Sequence, residues 1–122
     1  MGGPSKEAEV SRRTGAAIAE ALESKGYNAQ TLELNPRTVL KDIKDLGGEV
    51  VFNAIHGRYG EDGALQGLLE MAEIPYTGSG IMAHAVGMNK KVSKDVFKGA
   101  NIPTAASESF NGDLESAEAI IE

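Results

Sequence analysis

Cysteine and tryptophan are absent from the 122 residues, and phenylalanine and tyrosine occur three times each. Without thiols the chain has no disulfide, no thiolate nucleophile and no cysteine-ligated zinc, and a reducing compartment suits it. Two histidines are too few for a histidine-rich metal site. Positive charge is scarce as well: twelve Lys and Arg stand against eighteen Asp and Glu, a formal net charge of -6. That balance opposes attraction to phosphate backbones and anionic lipid, so neither nucleic acid nor membrane is an expected partner. The longest apolar runs, Val50-Val51-Phe52 and Ala119-Ile120-Ile121, fall far short of the roughly 20 residues that cross a bilayer. Met1-Gly2-Gly3-Pro4-Ser5-Lys6-Glu7 lacks the basic cluster and apolar stretch of a secretory signal, and the expected location is the cytoplasm.

What is present suits one soluble domain with a short extension. Hydrophobic residues make up 41% and charged residues 25%, enough apolar side chains for a real core at this length. After the Gly-Gly-Pro-Ser turn at 2–5, Val10, Ala17, Ile18, Ala21 and Leu22 recur at helical spacing until Gly26, which predicts a helix over 8–25. Alternation over 29–34 predicts a strand, and Asn35-Pro36 ends it. A helix over 37–46 follows. Gly47-Gly48 breaks it, and Glu49 to Ile55 is the apolar run of a strand buried on both faces. The loop 56–63 leads to a third helix, and Pro75-Tyr76-Thr77 is a short extended piece. Helices over 79–88 and after Asn89, a strand over 104–110 and a helix from about 113 complete the order.

Alternating helices and strands imply an α/β fold, doubly wound around a mainly parallel sheet, because parallel neighbours need crossover connections. In such folds ligands sit beyond the carboxyl ends of strands. That rule singles out the loops at 2–9 and 56–63. Gly2-Gly3-Pro4-Ser5 before a helix could cradle an anion or merely bend the chain. Glu7 sits near a helix start, where a carboxylate is favoured by the dipole alone, yet in a cleft it could bind an ammonium group. His56 ends the most buried strand and could donate a hydrogen bond to a developing oxyanion, or serve only the structure. Arg58, Glu61 and Asp62 could be a solvated cluster. Lys90, Lys91, Lys94 and Lys98 read either as an exposed basic face or, for a lysine near a domain junction, as a contact for nucleotide phosphates.

Four blocks in order, G-G-P-S-K-E-A-E-V-S at 2–11, H-G-R-Y-G-E-D-G-A-L-Q-G at 56–67, I-P-Y-T-G-S-G at 74–80 and M-N-K at 88–90, resemble the amino-terminal domain of D-alanine-D-alanine ligases. The resemblance implies a Rossmann-like domain over 1–88, preceding an ATP-grasp region whose linker and first elements begin at 89–122. It implies an ATP-dependent enzyme that phosphorylates the carboxylate of one D-alanine so that the amine of a second can attack the acyl phosphate, making D-Ala-D-Ala for peptidoglycan. By the same resemblance Glu7 holds the first D-alanine's ammonium, His56 lies beside the reacting carboxyl group, and Lys90 contacts ATP phosphates. Gly3, Ser5 and Glu61 border the substrate. ATP and Mg2+ are the implied cofactors, with the metal ligands outside these residues, and a homodimer is the implied assembly. Relatives that use D-lactate or D-serine share the blocks, and a non-catalytic binding or dimerisation module could share the fold.

Three departures from the family pattern carry expectations. An apolar strand usually precedes the Gly-Gly turn, whereas this sequence starts at Met1, so a neighbouring strand edge is expected to need a substitute partner. The usual M-D-K reads Met88-Asn89-Lys90. The sequence stops at Glu122, ahead of most of the ATP-binding region, so these residues alone are expected to make no dipeptide.

Overall fold

The computed structural model describes residues 1–109. Two compact units divide at Met88 and Asn89. The first holds α1 (Ala8–Ser24), α2 (Val39–Asp45), α3 (Ala64–Met71) and α4 (Ile81–Met88), and the second holds α5 (Lys90–Gly99). Extended segments separate the first three helices, giving the alternation of an α/β fold.

Helix α1 ends one residue short of the expected position, and the reason is local. Gly26 takes φ +84°, its amide donates to the Glu23 carbonyl, and the Tyr27 amide donates back to Leu22 at 3.1 Å. This is the left-handed stop that glycine makes cheap. Helix α2 starts later than the expected 37 because Asn35 Oδ1 takes the Arg37 amide in a turn at Asn35-Pro36. In the second unit Asn89 caps α5, its Oδ1 accepting from the Val92 amide at 3.1 Å.

The core of the first unit is formed by Leu34, Val39, Ile43, Ile55, Leu65 and Leu69, with Leu32, Val51, Tyr59, Leu68, Ile74 and Tyr76 packed around them. It lies on one side of the extended segments, against α2 and α3. Only Ser11 of α1 is fully buried. Val10 and Ala17 of the expected apolar stripe are exposed.

Backbone pairing in the extended segments is sparse and parallel. Val51 donates to Pro75 and accepts from Thr77, a single parallel bridge between Val51 and Tyr76. The segment 29–34 forms no regular ladder; its partner is Met1, whose amino group donates to Leu32 and whose carbonyl accepts from Leu34 at 2.8 Å. Those two bonds have the same parallel form as the Val51 bridge. Met1 therefore pairs with the 29–34 segment over one residue. Strand alternation aims the backbone groups of Val50 and Phe52 away from Tyr76, and none of them has a hydrogen bond among the described residues. Val50 and Phe52 are 63% and 49% exposed, so the 49–55 run is not the strand buried on both faces that its apolar pattern suggests.

Two further expectations need adjusting. The fourth helix begins at Ile81 rather than 79. Residues 104–109 form no strand; Lys94 Nζ holds the Ala105 carbonyl instead at 2.6 Å. Phe110 and the helix expected from about 113 lie outside the described residues.

Candidate functional site

Helix α1 and the end of the 50–56 segment are fastened together by hydroxyl groups. Glu7, Ser11 and Thr14 fall at positions i, i+4 and i+7, which places them in one row along the helix. The Ser11 hydroxyl accepts from the Gly2 amide and donates to the Ala54 carbonyl, both at 2.7 Å. One turn along from Ser11, Thr14 Oγ1 lies 3.3 Å from His56 Nε2. On the loop before the helix, Ser5 Oγ donates to the His56 carbonyl at 2.8 Å and accepts from the Glu7 amide.

Glu7 stands at the N-terminal end of α1 without using its side chain as a cap. Its carboxylate lies instead over Gly57, so close that a Cβ on that residue would come within 2.8 Å of Glu7 Oε2. Gly57 has φ +75°, a second reason for glycine there. Its amide is taken by Glu61 Oε2 at 2.7 Å, and its carbonyl accepts the Glu61 amide. Glu61 thus braces the backbone that follows His56.

The rest of the loop is equally constrained. Asn53 Nδ2 and the buried Gln66 Nε2 both donate to the Gly60 carbonyl, at 2.8 and 2.7 Å. Asp62 accepts the Tyr59 and Ala64 amides, which stabilises Tyr59 at φ +71° and caps the approach to α3. Gly60 presses on Ile55 closely enough that any Cβ would meet its carbonyl at 2.8 Å. Loop 56–63 is a fixed wall for the site.

The structure brings Ser5, Glu7, His56 and Glu61 into one neighbourhood. Gly3 sits beside it, with φ +92° and its amide directed to Glu33 at 3.3 Å. Lys90 belongs to the second unit; it is exposed, and its side chain makes no hydrogen bond or ion pair among the described residues. Lys91 instead pairs with Asp95 at 2.9 Å, which holds that carboxyl below its usual range. A separate apolar cavity of about 230 Å3 is lined by Leu34, Pro36, Val39, Tyr59, Ala64, Leu65 and Leu68. It contains none of the polar candidates. Among the described residues no group of three or more His, Asp or Glu could hold a metal ion.

Sequence reasoning did not single out Ser11, Thr14, Asn53 or Gln66. The signal for the first two was available, since both share the helical row of Glu7. Asn53 and Gln66 make their connection through a backbone carbonyl that no spacing rule reveals.

Comparison with known proteins places this wall in a family. Residues 35–79 match the family described as D-ala D-ala ligase N-terminus. The D-alanine–D-alanine ligase of Methylocella silvestris is 47% identical over 119 residues, covering 98% of this chain and 38% of the relative. That of Desulforudis audaxviator is 45% identical, covering 99% of this chain and 40% of the relative. A crystal structure of the Bacillus anthracis D-alanine–D-alanine ligase complexed with ATP superposes with a TM-score of 0.78 at 33% identity, across 96% of this chain and 42% of that one. The chain therefore spans about two fifths of the length of these relatives. With the loop blocks, the fold and the relatives in agreement, the chain belongs to the D-alanine–D-alanine ligase family.

Proposed function

We propose that this chain is the D-alanine-holding part of an ATP-dependent D-alanine–D-alanine ligase. The carrying observation is the Glu7 carboxylate seated over Gly57, directly after His56, with Ser5 bonded to both sides of that contact. A carboxylate at such a position accepts the ammonium group of an amino acid by a charge-assisted hydrogen bond. The substrate carboxyl group then turns toward His56, whose imidazole supports charge developing on oxygen. Glu61 keeps Gly57 in place, and Gly3 and Ser5 border the ligand.

In the full reaction the γ-phosphoryl group of ATP passes to a carboxylate oxygen of the first D-alanine and ADP departs. The amine of the second D-alanine attacks that carbon, and phosphate leaves. Lys90 is assigned to the ATP phosphates, a role that suits a compact cation on a flexible stem. Mg2+ would supply charge stabilisation for phosphoryl transfer, and no ligand for it is assigned among the described residues. Residues 1–88 serve as the substrate-binding domain and 89–122 as the start of the ATP-grasp region. The finer fold assignment is a doubly wound, mainly parallel sheet, supported by the parallel pairing at Met1 and Val51. A cytoplasmic homodimer completes the proposal; Met71 and Met82, 90% and 78% exposed, offer apolar surface for a second copy.

Equilibrium binding of radiolabelled D-alanine to the wild-type chain and to Glu7→Gln tests the reading. A hydrogen bond to a charged group contributes about 1.5–3 kcal/mol, so Glu7→Gln is expected to weaken binding roughly tenfold or more. Equal affinity for the two proteins would overturn the assignment.

A further inference from the structure

We infer that Thr14 is a positioning residue that sets the tautomer of His56, its hydroxyl donating to Nε2 so that the neutral imidazole carries its proton on Nδ1. The contact is 3.3 Å between Thr14 Oγ1 and Nε2, in a partly buried setting. It is held from both sides. Ser11, one turn before Thr14, bonds to the Ala54 carbonyl, and Ser5 bonds to the His56 carbonyl. The backbone carrying the ring is therefore tied to α1 and to the loop before it, and the ring meets the helix at a fixed point.

A neutral imidazole has one donor and one acceptor nitrogen, and the partner of one nitrogen decides what the other presents. The His56 ring has no other hydrogen bond among the described residues, which leaves Nδ1 for a ligand. A threonine hydroxyl can take either role. Here the choice rests on the proposed function: a substrate carboxyl group beside the ring offers oxygens, which accept, so Nδ1 must donate and Nε2 must accept. Free histidine prefers the proton on Nε2. A Thr14 hydroxyl that donates to Nε2 holds the ring against that preference, and a side chain of the same shape without the hydroxyl does not.

The test is the ring 15N spectrum of the full chain without ligand, at a pH where histidine is neutral. His56 and His84 are the only histidines, so His84→Gln assigns the signals. Wild type and Thr14→Ser are expected to show His56 protonated on Nδ1, and Thr14→Val to move the proton to Nε2. D-alanine affinity should fall several-fold in Thr14→Val and stay near wild type in Thr14→Ser. If Thr14→Val does not fold, Thr14→Ala gives the same comparison. An Nε2 proton in the wild type, or the same tautomer with and without the hydroxyl, would overturn the inference. Because the tautomer is read without ligand, a chain that shows the switch yet binds no D-alanine upholds the role of Thr14 and overturns the substrate reading alone.

Discussion

Ser11 and Ala54, 43 positions apart, are joined by a 2.7 Å hydrogen bond from the Ser11 hydroxyl to the Ala54 carbonyl, and the same oxygen accepts the Gly2 amide. One fully buried hydroxyl thus satisfies two backbone groups that would otherwise be orphaned. Ser11→Ala barely changes the volume but strips both partners. Each buried group left unsatisfied costs about 1–3 kcal/mol, so the variant should be destabilised by about 2 kcal/mol or more. Urea unfolding checks this, the midpoint falling while the slope stays constant. An unchanged midpoint would mean that water replaces the hydroxyl at no cost.

Gly60 is the tightest point of loop 56–63. A methyl group there meets Ile55, including its backbone carbonyl, and rigid neighbours make overpacking cost typically 1–3 kcal/mol. Gly60→Ala should lower thermal stability and weaken D-alanine binding together, since the same turn places Glu61 against Gly57. A variant that binds normally would separate the loop from the site.

Acid should weaken the attachment of the first loop through Glu33. Its carboxyl group is held below the usual range, first by the hydrogen bonds from Arg12. The folded state thus favours the ionised form, so this stabilisation is present above the unfolded-state value and is lost as pH falls through the lower folded value. Wild type should lose stability relative to Glu33→Gln over that acid window, and added salt should shrink the difference because the pair is exposed. Parallel pH profiles for the two proteins would remove Glu33 from the account.

Hydrogen exchange should alternate along 50–52. The Val51 amide is bonded to Pro75 and should exchange slowly, whereas those of Val50 and Phe52 should exchange fast. Equal protection at all three would show that another segment covers that edge.

These cases mark how far the sequence alone could be read. Helix α1 was legible because its stop is written in Gly26, and α5 because Asn89 caps it. The segments expected as strands are extended but carry only isolated pairing, a single parallel bridge between Val51 and Tyr76; a strand needs a partner, and no periodicity in 29–34 reveals that Met1 is its neighbour. Residues 104–109 have a strand-like pattern and no partner strand among the described residues. Glu7, His56 and Glu61, which the structure brings into one neighbourhood, were singled out through their motif blocks. Thr14 was not, since counting apolar positions passes over a hydroxyl on a helix.

The central claim is that D-alanine binds where Glu7 meets Gly57. Titration of the 15N-labelled chain with D-alanine tests it most directly. The expected result is saturable shift of the Ser5, Glu7, His56, Gly57 and Glu61 amides, smaller with L-alanine and abolished in Glu7→Gln. Shifts confined to other surfaces, or the same response to both enantiomers and in Glu7→Gln, would contradict the account.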